Sequence, residues 1–209
     1  MSGCGGFSEG DGGAEEGGGV QEGGRAAGEV GDTEGAERFN ERRQTSVRDT
    51  WDVVLTHPDL DHIGGAASVL RALEVGHVFE PGAAVGRQPY LDVIRAIESG
   101  STDWRAARIG RTMELDGVRF DFLWPLSETV DAARDANQIS AVLRVSYGSF
   151  SMLLTGDAGA EVEAELIARN GDALRSRILK LGHHGSATSS SDEFIDATKP
   201  GAVIFTGVR

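Results

Sequence analysis

The sequence holds a single cysteine, Cys4, so no disulfide can close within the chain and cysteine usage gives no sign of an oxidising compartment. It has no apolar run of the length a bilayer-crossing helix needs. Its start lacks the basic region and apolar core of a secretory leader. The expected location is therefore the cytoplasm, unless the chain derives from a membrane-anchored parent. Lysine is nearly absent, with only Lys180 and Lys199 present. The preference for Arg reads as a coding bias and carries no binding surface with it. Net charge is −13, which argues against binding to nucleic acid through broad electrostatic attraction. A metal-dependent phosphodiesterase stays open, because bound cations supply positive charge locally.

Apolar pairs are almost missing from residues 1–48, which are rich in Gly and Glu. Runs such as Glu15-Glu16-Gly17-Gly18-Gly19 cannot bury enough apolar surface to offset the entropy of ordering. We expect a disordered segment there, either an acidic linker or the product of a wrong start or shifted frame. The hydrophobic residues, 39% of the whole, therefore concentrate in residues 49–209. About 160 residues suffice for one core.

In this second part, strand patterns alternate with helix patterns. Trp51–Leu55 reads as a strand buried on both faces. A helix follows over 65–74 and a short strand over 77–80, closed by Pro81-Gly82. His77 stands apart from any cluster and reads as a surface or satisfied histidine. Pro89 opens a helix that ends before Gly100, with Leu91, Ile94 and Ile97 on its buried face. Strands are expected over 104–109 and 112–115. Asp116-Gly117 marks a tight turn into the alternating strand Val118–Trp124. Residues 126–138 are polar and read as a surface loop. Strands 139–147 and 150–155 form a hairpin, residues 160–169 a helix, 177–181 a strand, 191–197 a helix capped by Ser190 or Ser191, and 202–206 a last strand. This is an α/β chain of layered α+β type.

Three of these strands end by releasing metal-ligating side chains. The first runs into His57, Asp59, Asp61 and His62, the second into Asp157, and the third into His183 and His184. Imidazole nitrogen and carboxylate oxygen both hold divalent metals. Loops at one sheet edge can converge on a single site. The number of ligands suits two metal ions with a bridging carboxylate, a geometry that activates a water and stabilises a developing oxyanion.

The segments LTHPDLDHIGG, LLTGD and LKLGHHGS, in this order and spacing, resemble the metallo-β-lactamase superfamily. They are most similar to its ComEC-like branch, the soluble domain of the competence DNA-uptake protein. The resemblance covers residues 51–209. It implies an αββα sandwich with two divalent metal ions at one sheet edge, zinc or manganese, with magnesium also open given the oxygen-rich ligand set. It implies His57 and Asp59 on one metal, Asp61 and His62 on the other, and Asp157 between them. His183 is the preferred ligand of its pair and His184 the alternative. Asp61 would also orient the attacking water, and Lys180 would stand near the leaving oxygen. Asn137 and Ser140 are candidates to line the site, and Ser186, Thr188 and Ser189 could hydrogen-bond phosphate oxygens.

The activity so implied is hydrolysis of phosphodiester bonds, of nucleic acid in particular, by a metal-activated water, in association with a membrane DNA channel. Two other readings stand beside it. One is a metallo-hydrolase of a small ester, lactone or thioester. The other is an inactive remnant or binding module. The family's usual motifs before the ligand loop and after the last strand have no counterpart in the sequence, so an incomplete domain is expected. Exposed ladder groups and core would follow from that.

Overall fold

Trp51–Val54, the first strand β1, leads directly into the ligand loop. The computed structural model describes residues 50–83, 85–133 and 135–207. The Gly- and Glu-rich segment 1–48 lies outside these residues.

The ligand loop contains a helical turn of its own, α1 (Leu60–Ile63), before α2 (Ala66–Ala72). Next come β2 (Val75–Glu80), α3 (Gln88–Ser99) and β3 (Asp103–Ala106). β1, β2 and β3 form one parallel three-stranded sheet in that order. A meander follows, β4 (Thr112–Leu115) and β5 (Val118–Trp124), then β6 (Val142–Tyr147) and β7 (Phe150–Leu154). Between β5 and β6 lie α4 (Ser127–Ala132) and a 3-10 turn, Ala136–Ile139. After β7 come α5 (Ala160–Asn170), β8 (Ile178–Lys180), α6 (Asp192–Thr198) and β9 (Ala202–Ile204). The second sheet has the order β4-β5-β6-β7-β8-β9, antiparallel as far as β7 and parallel from β7 to β9. No described helix is long and apolar enough to cross a membrane.

Three apolar interfaces separate four layers, which is the expected αββα sandwich. α2 and α3 pack on the outer face of the small sheet through Leu70, Tyr90, Val93 and Ile97 against Val75 and Val78. α5 and α6 cover the large sheet through Val162, Leu166 and Phe194 against Val142, Leu153 and Leu179. Between the sheets, Phe79, Phe122, Ala141 and Leu143 meet Val54, Met113 and Leu154. The rings of Phe79 and Phe122 stack there with centroids 5.5 Å apart. Phe122 shares its strand face with Phe120, as the alternation in β5 requires.

Local chemistry accounts for most boundaries. Asp116 and Gly117 both take positive φ, 52° and 78°, the primed turn whose twist matches the strands it joins. Pro89 sits in the first turn of α3, where its missing N–H costs nothing, and Gly100 closes that helix. The Ser191 hydroxyl accepts from the Phe194 amide and caps α6.

Several expectations need correction. α3 buries Tyr90, Val93, Ala96 and Ile97, so the helix is rotated from the expected Leu91, Ile94 and Ile97 face. The Tyr90 hydroxyl donates to the buried Glu80 carboxylate at 3.2 Å, a partner that draws Tyr90 inward. Residues 126–138 are helical in two short pieces and do not form a plain loop. β1 is only half-buried, because it is an edge strand of its sheet among the described residues. β9 is exposed along its length, and Val203 and Phe205 present apolar surface at that edge.

Phe122 is 1% exposed at the centre of the inter-sheet layer. Phe122→Ala should destabilise the fold by about 3–5 kcal/mol, read as a lowered denaturation midpoint with an unchanged slope. A loss below about 1 kcal/mol would mean that the two sheets do not pack through this ring.

Candidate metal centre

The ligand-bearing loops meet because of strand order. β7 and β8 are parallel neighbours, with Leu154 opposite Lys180, so both release their following residues at the same edge. β1 belongs to the other sheet, yet its extension reaches across: the Ala141 amide donates to the Thr56 carbonyl at 2.8 Å. The His183 amide donates to the Gly156 carbonyl at 3.1 Å and fastens the third loop to the second.

Gly156 is required where it stands. Its φ is 53°, and an added Cβ would lie 2.1 Å from the Ser140 Oγ and 3.1 Å from the Thr56 Cβ. The absence of a side chain lets Asp157 approach the first loop. His183 and His184 also take left-handed conformations, with φ of 43° and 53°, within the 3-10 turn Gly182–Gly185. Each costs roughly 1–2 kcal/mol for a residue with a Cβ. The turn is held by the Ser189 hydroxyl on the Gly182 carbonyl at 2.7 Å and by the Ser186 amide on the His183 carbonyl at 2.8 Å. Strain of this kind, held by its surroundings, is characteristic of functional sites.

The centre of the arrangement is one oxygen, Asp157 Oδ2. His62 Nε2 lies 3.2 Å from it, His184 Nε2 3.6 Å, His57 Nε2 3.8 Å and His183 Nε2 4.0 Å. Asp61 Oδ2 is 3.3 Å from His184 Nε2 and 3.7 Å from His62 Nε2. Ligand atoms of Asp61, His62, Asp157 and His184 all lie within 4.8 Å of one another. On the other side, Asp59 Oδ2 is 3.7 Å from His57 Nε2. Two groups of donors therefore share Asp157.

The donors fit divalent cations. The His57 side chain is fully buried and Asp157 nearly so, and His57 Nε2 and Asp157 Oδ1 have no hydrogen-bond partner. A buried carboxylate and a buried ring nitrogen left unpaired are costly. A cation between them would satisfy both, and imidazole with carboxylate is the donor set that divalent transition metals accept.

The protonation balance points the same way. Burial is the main cause that holds the His57 imidazole down to about 4 from its ordinary 6.5. His62 adds to the effect, while Asp157, Asp59 and Asp61 oppose it. Burial pushes the Asp157 carboxyl up, but the His62 hydrogen bond and the charges of His62, His57 and His184 outweigh it and hold the group below the usual carboxylate value. A neutral ring beside an ionised carboxylate is the state a metal requires.

His57, Asp59, Asp61, His62, Asp157, His183 and His184 stand at this sheet edge, whereas the Ser189 hydroxyl, expected to meet a phosphate oxygen, is buried and donates to the Gly182 and Ser186 carbonyls. Of the histidine pair, His184 belongs to the tight four-residue group and His183 lies farther from Asp157. Lys180 is half-buried and donates to the carbonyls of Gly156 and Leu181, both at 3.1 Å, so it ties the second loop to the third. Burial lowers its pKa, with Asp157 pulling the other way. The Ser140 hydroxyl accepts from the Asp157 amide at 2.8 Å and lies 3.3 Å from His57 Nδ1. Asn137, Asp157 and His183 line an adjoining cavity of about 470 Å³, together with Asp135, Glu161 and Thr188. His77 pairs with Asp52 at 2.8 Å, away from the centre. Thr56, Gly156, Thr206 and Arg87 carry no assignment in the sequence reading. Arg87 donates to Asp59 Oδ1 at 3.1 Å and Thr206 lies 3.2 Å from His184 Nδ1, contacts for which no local motif is a signal.

Comparison with known proteins points to one family. A family model described as the metallo-beta-lactamase superfamily matches residues 30–207. The competence protein ComA of Neisseria gonorrhoeae is 36% identical over 148 residues, 71% of this chain and 18% of that protein. The ComE operon protein 3 of Bacillus subtilis is 31% identical over 154 residues, 74% of this chain and 19% of that protein. The matched part is thus a small share of either relative's length. Among solved structures, CmlA, a diiron beta-hydroxylase from Streptomyces venezuelae, aligns with a TM-score of 0.50 and 18% identity. That alignment covers 75% of this chain and 35% of that one, and the likeness is one of fold.

The depressed His57 gives a signed pH dependence. Between about 6.5 and about 4 the unfolded chain binds the His57 proton and the folded chain does not. This contribution to the stability of the metal-free protein is complete above the upper value and is lost as pH falls through the window. Denaturation midpoints at pH 7 and pH 5 should differ more for the wild type than for His57→Gln. Equal differences would contradict a buried neutral ring.

Proposed function

The chain belongs to the metallo-β-lactamase superfamily and has ComEC-like relatives, and on that premise we propose that it is a metal-dependent phosphodiesterase acting on nucleic acid. The observation that carries this reading is the convergence of four imidazoles on the single oxygen Asp157 Oδ2. We assign His57, Asp59 and Asp157 to one divalent ion and Asp61, His62, Asp157 and His184 to the second, with zinc and manganese as the candidates. His184 is preferred over His183 because of its place in the tight group.

Two such ions would supply positive charge for phosphoryl oxygens and lower the pKa of a water. The chain's own residues do the remainder. Asp61 is the most exposed carboxylate of the set, 64% accessible, and is positioned to orient the attacking water and take its proton. Asp157 and the rings packed on it keep bulk water from the floor of the site. Asn137 and Thr188, on the wall of the adjoining cavity, offer an amide and a hydroxyl to a phosphate oxygen. The two carbonyl partners of Lys180 favour a role in holding the Asp157 and His183 loops over one at the leaving oxygen.

The names of two relatives include competence or the ComE operon, and on that ground we place the activity in DNA uptake, beside a membrane DNA channel. One observation favours a second substrate class. Asp135 and Glu161 line the adjoining cavity and the net charge is −13, which suits a small ester, lactone or thioester better than a long polyanion.

Protein loaded with zinc or manganese should cleave single-stranded DNA and a small aryl phosphodiester. Asp61→Ala should reduce kcat by at least about 100-fold, the loss expected for a positioned proton acceptor. Cleavage of esters or thioesters alone would move the assignment to the second class. Turnover of neither, by protein that carries its metals, would leave a binding module.

A further inference from the structure

We propose that the Thr56 hydroxyl is a shared positioning group that fixes the tautomers of His57 and His62 together, one ring for each metal ion. The inference rests on the metal reading above and adds to it a group that touches no metal.

The geometry is specific. Thr56 Oγ1 lies 3.0 Å from His57 Nδ1 and 3.2 Å from His62 Nδ1. The two ring centroids are 4.1 Å apart, tilted by 49°. The Nε2 atoms of both rings face Asp157 Oδ2. A neutral imidazole has one N–H and one free lone pair. A ring that gives Nε2 to a metal must carry its proton on Nδ1, and that proton needs an acceptor. A hydroxyl oxygen has two lone pairs, so one threonine can accept from both rings at once. Had Thr56 donated to either ring instead, that ring's proton would sit on Nε2 and block ligation.

The two rings depend on Thr56 unequally. His57 Nδ1 also lies 3.3 Å from the Ser140 Oγ. Among the described residues, Thr56 is the one hydrogen-bond partner of His62 Nδ1. Thr56 is itself held in place, with its carbonyl accepting from the Ala141 amide and its Cβ against the open face of Gly156. Loss of the hydroxyl should therefore weaken the His62 side of the centre first.

The test is a chelator-competition titration of the full chain with zinc, beside imidazole ¹⁵N spectra of the metal-free and metal-loaded protein. Thr56→Val keeps the shape and removes the hydroxyl. It should lower affinity for one of two zinc equivalents by roughly 10–100-fold, the usual cost of removing a partner behind a ligand. Thr56→Ser should restore it. The spectra of the metal-loaded wild type should show the Nδ1 proton on both His57 and His62. Unchanged zinc affinity in a folded Thr56→Val protein, or no rescue by Thr56→Ser, overturns the proposal. So does an Nε2 proton on either ring of the metal-loaded protein. If Thr56→Val does not fold, the serine variant and the wild-type spectra decide. A wild-type chain that takes up no zinc contradicts the functional reading and this inference with it, whereas unchanged zinc affinity in Thr56→Val overturns this inference alone.

Discussion

A buried carboxylate must be compensated, and the structure of this protein is arranged around that requirement at Asp157. The side chain is nearly inaccessible, and the groups that face its Oδ2 oxygen are imidazole nitrogens from two other loops. Burial disfavours the charge, while the His62 hydrogen bond and the neighbouring imidazoles favour it. One carboxylate oxygen can answer several nitrogens only if cations stand between them or the rings share protons with it. The neutral, deeply buried His57 argues for the first arrangement.

The sandwich serves this one demand. Two sheets pressed together by Phe79, Phe122 and Leu143 bring the end of β1 against the start of β6. The parallel pairing of β7 with β8 sets the Asp157 and histidine loops side by side. Small contacts then fix the positions: Gly156 leaves the space, Ser140 holds the Asp157 amide, and Lys180 ties two loops through backbone carbonyls. None of these groups is itself a donor to a cation, yet each sets where the donors stand.

Much of this could be read in the sequence because it is periodic or local. Alternation in Val118–Trp124 gives the central strand, Pro89 and Gly100 bound a helix, and three apolar runs that end in His or Asp announce the site. What could not be read depends on distant partners. Tyr90 turns α3 inward because Glu80 is buried ten residues earlier, a contact invisible to an aliphatic pattern. The 126–138 stretch contains two short helical pieces despite its polar composition, and the Asp135 side chain opens the second by accepting from the Asn137 amide. The two histidines at 183 and 184 are adjacent and chemically identical, so only the left-handed turn that carries them separates their positions. The proximity of Ser140 to the His57 ring follows from the meeting of β1 and β6 and has no signature within any one segment, whereas Thr56 precedes His57 in the ligand loop itself.

The proposed metal centre has Asp157 between two ions. Anomalous diffraction from crystals grown with zinc, collected above and below the zinc edge, tests it most directly. The account predicts two peaks flanking the Asp157 carboxylate, one beside His57 and Asp59 and the other beside Asp61, His62 and His184. A single peak away from Asp157, or none in protein soaked with excess zinc, would contradict it.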